Sequence, residues 1–105
     1  MDKYQCVVLL PLTLKDTGNN PIGYPLMVFD SDTKLVKGEK RTLRYEDQGS
    51  YIDFNALVVN CSEYQEYGTR VIAYSFEVED RDLALQIAKI VKNQNPGMFE
   101  EDNLV

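Results

Sequence analysis

The segment from Arg70 to Gln94 constrains the fold most, because a strand pattern passes there directly into a helix pattern. Every second residue of its first part is apolar and shares one face: Ile72, Tyr74, Phe76 and Val78. An alternation with a period of two is typical of a β-strand that buries one face. Over 83–91 the apolar residues recur at helical spacing and form one broad stripe. A strand followed by an amphipathic helix needs a sheet to cover that stripe, so the pattern predicts an α+β fold.

Both ends of this helix are marked in the sequence. Asp80 is the predicted N-cap, because its carboxylate can accept hydrogen bonds from the first unpaired N–H groups. The sequence Asn95-Pro96-Gly97 predicts the stop, since proline cannot continue a helix and glycine accepts a left-handed turn. We therefore expect the helix over about 80–94.

The residues before Arg70 contain further strand patterns separated by turn formers. Strands are expected over 4–12, 24–29, 41–46 and 51–61, and a short one at 34–36. The polar segment 62–68 is expected to form a connecting loop. The prediction is a largely antiparallel five- to six-stranded sheet, or a partly open barrel, packed by one C-terminal helix.

The length of 105 residues is ordinary for one domain with one hydrophobic core. We expect residues 1–97 to form a single α+β domain and residues 98–105 to form an acidic-hydrophobic C-terminal tail. The longest apolar run near the N-terminus, Val7–Leu12, is interrupted by Pro11 and is too short to span a bilayer. A cytoplasmic location without membrane contact is therefore expected.

The chain contains no histidine, which excludes much of the usual catalytic chemistry. It lacks the common general base near neutral pH and both the Ser-His and Cys-His nucleophile pairs. Its two cysteines cannot complete an ordinary structural zinc site without histidine. The six glycines are scattered and form no phosphate-binding loop. We therefore expect no catalytic activity, no metal and no cofactor.

The negative charge of the chain lies in its second half. Residues 1–50 hold seven basic and seven acidic residues, whereas residues 51–105 hold four basic and ten acidic residues. The net charge of −6 therefore comes from the second half. An acidic overall field disfavours nucleic acid as a partner and favours a basic protein surface.

The leading hypothesis is a small, non-enzymatic domain that binds another protein. Tyr64, Glu66 and Tyr67 lie in the polar segment 62–68, where a role in the core is harder to argue. Tyrosine is a common anchor of protein interfaces. Three acidic residues where the last strand meets the helix would add electrostatic complementarity to a basic partner: Glu77, Glu79 and Asp82. Helix capping and an exposed strand end also explain these acids without a partner.

The segment 34–45 supports an alternative function, the binding of single-stranded nucleic acid. Its basic and aromatic side chains would contact phosphates and stack on bases: Lys37, Lys40, Arg41, Arg44 and Tyr45. On a strand, Lys40 and Arg44 would share one face, and Arg41 and Tyr45 the other. A solvated edge hairpin explains the same residues without any ligand, because edge lysines discourage aggregation.

Two further possibilities follow from charge and from sheet geometry. The acidic half could occupy a phosphate-binding groove, which would make the chain a small phage-type inhibitor of a nucleic-acid-handling enzyme. An unpaired edge strand could also join two copies into a homodimer.

Overall fold

A computed structural model gives the fold and describes residues 2–12, 24–95 and Gly97. These residues form five strands and one helix: β1 (Asp2–Leu10), β2 (Tyr24–Ser31), β3 (Lys40–Asp47), β4 (Ser50–Glu66), β5 (Thr69–Val78) and α1 (Arg81–Gln94). The prediction of an α+β fold with one C-terminal helix is confirmed. The predicted C-terminal tail, 98–105, lies outside the described residues.

The strands form one mixed sheet in the order β2-β1-β5-β4-β3, curved into a half-barrel. Three neighbouring pairs are antiparallel, but β1 and β5 run parallel, with Tyr4 beside Ile72 and Val8 beside Phe76. The prediction of a largely antiparallel sheet is therefore wrong. Side-chain periodicity reports which face of a strand is buried, and it carries no information about the direction of a neighbouring strand.

The hydrophobic core lies between one face of the sheet and α1. Its buried side chains alternate along three strands and follow one stripe of the helix: Cys6, Val8 and Leu10; Phe54, Ala56 and Val58; Ile72, Tyr74 and Phe76; Ile87, Ala88 and Val91. We call the opposite face of the sheet the outer face. The alternation of β5 and the helical stripe therefore both point to this core, as their periods predicted.

Helix α1 begins and ends where the sequence predicted. The Asp80 carboxylate accepts hydrogen bonds from the N–H groups of Asp82 (2.9 Å) and Leu83 (3.3 Å). At the other end, the side-chain amide of Asn95 donates to the carbonyl oxygen of Val91 (2.9 Å). Within the described part of the chain, no helix has the length and apolar character needed to cross a membrane.

The predicted loop over 62–68 is wrong, because β4 continues to Glu66 and β5 starts at Thr69. Only Tyr67 and Gly68 connect the two strands, and their φ angles are 50° and 81°. Two positive φ angles define the type I′ turn, whose twist matches that of a β-hairpin. Tyrosine seldom adopts this backbone conformation, so a tyrosine at this position does not indicate a turn in the sequence.

The segment before β3 also differs from the prediction. Residues Lys34–Val36 form no strand, and the chain turns at Gly38 before β3 begins at Lys40. Leu35 is buried in the core, and its backbone N–H donates to the Tyr74 hydroxyl at 3.0 Å. This hydrogen bond ties the connection between β2 and β3 to the central strand.

Candidate functional site

The β4–β5 hairpin extends past the end of β3, and we call its residues 59–70 the hairpin arm. β3 pairs with β4 as far as Leu57, and Val58 exchanges two backbone hydrogen bonds with Gly38 and Glu39. Beyond Val58, β4 pairs only with β5, so its other edge carries no partner strand in the described structure. Sequence reasoning missed this free edge, since it assigned residues 62–66 of β4 to a loop.

Tyr64 lies on the outer face of the arm and has a structural role. Its hydroxyl donates to the side-chain carbonyl oxygen of Gln5 at 2.9 Å, which bridges β4 and β1 across β5. Val71 lies beside Tyr64 in the register, and its side chain is 1% exposed although it faces away from the main core. Tyr64 therefore supports the outer face, while 43% of its surface stays open to a partner.

Tyr67 lies at the tip of the arm and is fully exposed, at 100%. The described residues make no hydrogen bond or ring contact with it, in contrast to Tyr64. Glu66, which precedes it, is also exposed and forms no ion pair within the described structure. The structure thus places the predicted contact residues Tyr64, Glu66 and Tyr67 together on the arm.

The predicted acidic contact residues lie at the opposite end of β5. Glu77 is exposed on the outer face, and Asp82 is exposed in the first turn of α1. The Glu79 carboxylate already accepts from the Lys40 ammonium group at 2.9 Å. The eight residue steps from Thr69 to Glu77 span about 26 Å along a strand. The six predicted partner-binding residues therefore form two separate groups.

Three cations of the basic segment face carboxylates of the same molecule. Arg44 contacts Asp53 at 2.7 Å, Arg41 contacts Glu39 at 3.0 Å, and Lys40 contacts Glu79 as described above. Lys37 is the one predicted nucleic-acid-binding cation without an ion pair in the described structure. Exposed ion pairs add little stability, but they reduce the positive charge that this surface presents to a phosphate.

Tyr45 does not stand beside the exposed basic side chains. It faces the helix, on the opposite side of β3 from Lys40 and Arg44, as the alternation predicted. Its hydroxyl donates to the side-chain carbonyl oxygen of Gln94 at 3.4 Å, and burial raises the pKa of this hydroxyl. The Arg44 guanidinium lies instead over the ring of Tyr51, 4.1 Å from its centroid. The structure thus separates Tyr45 from Lys40 and Arg44, whereas Arg41 lies on the same face of β3 as Tyr45.

The ion pair with Arg44 lowers the pKa of the Asp53 carboxyl group. The hydrogen bond from Arg44 stabilises the ionised carboxylate and holds the pKa of Asp53 below its ordinary value. The stability that this pair contributes is therefore present above the pKa of an unfolded aspartate and is lost as the pH falls through the folded pKa. We expect an NMR titration to show the low midpoint, and Arg44→Gln to return it toward the ordinary value. The matched variant Arg41→Gln should leave it in place, and an unchanged midpoint in Arg44→Gln would contradict the assignment.

No group of three or more acidic or cysteine side chains is placed to hold a metal ion within residues 2–12, 24–95 and 97. Comparisons of the chain with protein-family models, curated proteins and solved structures find no match.

Proposed function

We propose that this domain binds another protein and that the hairpin arm is the contact surface, with Tyr64, Glu66 and Tyr67 as its main side chains. The observation that carries the proposal is the position of Tyr67. Its ring is fully exposed, and its backbone adopts a left-handed conformation with φ of 50°. Neither the core nor the turn needs an aromatic side chain at this place.

The backbone position of Tyr67 makes this choice of residue unfavourable for the free protein. A left-handed conformation costs an L-residue with a large side chain about 1–2 kcal/mol. Type I′ turns prefer asparagine, aspartate or glycine at this position. A tyrosine ring that a partner buries would recover hydrophobic free energy that the isolated domain does not gain.

The acidic residues at the other end of β5 would give the proposed interface a negative charge. Glu77 and Asp82 are exposed and form no ion pair in the described structure, whereas Glu79 is engaged with Lys40. An ordinary interface covers about 800 Å² on each partner, which is wide enough to reach both groups. A basic partner surface would complement these carboxylates and associate faster at low salt.

A protein partner is a better fit than nucleic acid. Three of the four cations proposed to contact phosphate are engaged with carboxylates, and Tyr45 faces the helix. Inhibition of a nucleic-acid-handling enzyme is a narrower form of the same proposal, because the partner would again be a protein with a basic groove. The cytoplasmic location expected from the sequence stays a prediction.

The test variant Tyr67→Asn should change stability and binding in opposite directions. Asparagine accepts the left-handed backbone of a type I′ turn, so we expect the free energy of unfolding to rise by about 1 kcal/mol. We also expect affinity capture from nuclease-treated native lysate to lose the protein that the unmodified domain retains. Because the variant is more stable, unfolding cannot explain the loss.

The control variant for this capture is Gln86→Ala, which changes an exposed residue of α1 away from the arm. It should retain the same protein at moderate salt. Equal capture by Tyr67→Asn and Gln86→Ala would refute the proposed role of the arm. Recovery of nucleic acid alone from a parallel untreated lysate, lost on nuclease treatment, would instead favour the segment 34–45.

A further inference from the structure

The free edge of the hairpin arm presents backbone groups that no strand of the described structure uses. A two-residue turn makes Glu66 and Thr69 a hydrogen-bonded pair, and bonding alternates with every residue from there. Glu63 and Gln65 therefore point their N–H and C=O groups away from β5. Cys61 points the same way, and its N–H donates to the side-chain carbonyl oxygen of Asn60 at 2.9 Å. This hydrogen bond is consistent with the alternation, because it shows that the Cys61 N–H does not pair with β5.

We propose that the partner adds an extended basic strand to this edge and pairs with the backbone of Glu63 and Gln65. The inference rests on the proposed function, since it specifies how the arm would hold a protein. Strand addition supplies affinity through main-chain hydrogen bonds and selectivity through alternate side chains.

The composition of this edge supports strand addition. Natural edge strands carry lysine, proline or inward-pointing charge that blocks further pairing. The segment 59–66 reads Val-Asn-Cys-Ser-Glu-Tyr-Gln-Glu and contains neither lysine nor proline. By contrast, the edge strand β2 contains Pro25, and the edge strand β3 carries Lys40 and Arg44. The arm thus lacks the lysine and proline that the other two edges carry, although Glu63 lies on its core-side face.

The charges of the arm indicate a basic strand as the occupant. The only charged residues of the segment 59–66 are Glu63 and Glu66. Pairing two copies of the segment would bring together two glutamates from each copy, with no cation from the segment itself. Arg70 forms an ion pair with Glu63 at 2.5 Å, whereas Glu66 has no ion pair within the described residues. Glu66 shares the outer face with Tyr64, so a lysine of the added strand could contact both the carboxylate and the ring.

The probe for this proposal is a capped octapeptide in which lysine alternates with valine. Binding of the fluorescently labelled peptide to the full chain is followed by anisotropy, and amide hydrogen exchange is followed by NMR. We expect exchange at the N–H groups of Glu63 and Gln65 to slow on binding. The N–H of Glu46, which faces outward on the edge strand β3, should not slow. The same peptide with N-methyl groups at alternate residues should bind at least about tenfold more weakly, since it loses main-chain donors.

Two proline substitutions in the domain itself test the same contact. Gln65→Pro removes an N–H that the fold does not use, because an outward-facing edge position tolerates proline. We expect this variant to stay folded, as judged by urea unfolding, and to bind the peptide about tenfold more weakly. Glu46→Pro makes the matched change at the outer edge of β3, and its peptide affinity should stay within about twofold of the unmodified domain.

The outcomes separate this inference from the proposed function. Strand addition is overturned if Gln65→Pro and Glu46→Pro bind the peptide equally while capture of the protein partner still depends on Tyr67. Suppose that only Gln65→Pro weakens peptide binding and that Tyr67→Asn captures the protein partner as well as the unmodified domain does. The edge then binds strands, but the proposed function fails. Protection of Glu63 and Gln65 without peptide, together with a doubled mass in sedimentation, would identify a second copy as the occupant and overturn the basic-strand proposal.

Discussion

The Phe76→Ala variant is expected to lose about 3–5 kcal/mol of its free energy of unfolding. Phe76 is fully buried on the central strand β5, and it lies in register with Val8 of β1 and Val58 of β4. Its ring also packs against Phe29 of β2, with 5.7 Å between the ring centroids. Truncation would therefore leave a cavity that borders four of the five strands, and a sheet held from several sides cannot collapse to fill it.

Urea unfolding, followed by far-UV circular dichroism, measures this loss directly. Small domains have total stabilities of about 5–15 kcal/mol, so part of the Phe76→Ala population could be unfolded without denaturant. Tyr51→Ala is the matched control, because it also removes an aromatic ring, but from an exposed site on β4. We expect its loss to stay below about 1 kcal/mol. Similar losses in both variants would contradict the central position of Phe76 in the core.

The Tyr74→Phe variant is expected to lose about 1–3 kcal/mol, although it removes a single oxygen atom. The Tyr74 hydroxyl accepts the backbone N–H of Leu35 at 3.0 Å, and both residues are buried. Phenylalanine would leave this N–H without a partner and away from water, which costs more than an average hydrogen bond contributes. The effect should concentrate in the connection between β2 and β3, where amide exchange of Leu35 should accelerate.

Tyr4→Phe provides the matched control for this experiment. Tyr4 stacks against Tyr74 with 6.4 Å between the ring centroids, and its hydroxyl makes no hydrogen bond in the described structure. Removing this hydroxyl should change the free energy of unfolding by less than about 0.5 kcal/mol. If the two variants lose the same stability, the bond from Leu35 to Tyr74 does not support the fold as described.

Local patterns in the sequence predicted the elements whose structure depends on neighbouring residues. The alternation over 70–79 and the stripe over 83–91 predicted β5 and α1, because a side chain's face follows directly from the period of its element. Asp80 predicted the start of the helix for the same reason, since an N-cap bonds N–H groups only two and three residues away.

The candidate site was predictable only in part. A tyrosine in a polar segment suggested exposure, and Tyr67 is indeed fully exposed. The structural role of Tyr64 was not predictable, because its hydrogen-bond partner Gln5 lies 59 residues away in the chain. The turn at Tyr67-Gly68 was missed because tyrosine is rare in a left-handed conformation, although the glycine was an available signal.

By itself, the sequence determined that β5 and α1 form, which of their faces are buried, and how α1 begins and ends. Only the tertiary structure decided that β1 lies parallel to β5 and that β4 extends beyond β3, so that no described strand pairs with the outer edge of the hairpin arm. The physical reason is the range of the interactions. Faces and caps depend on residues a few positions apart, whereas the order and direction of strands depend on backbone hydrogen bonds and packing between distant segments, which no local period encodes.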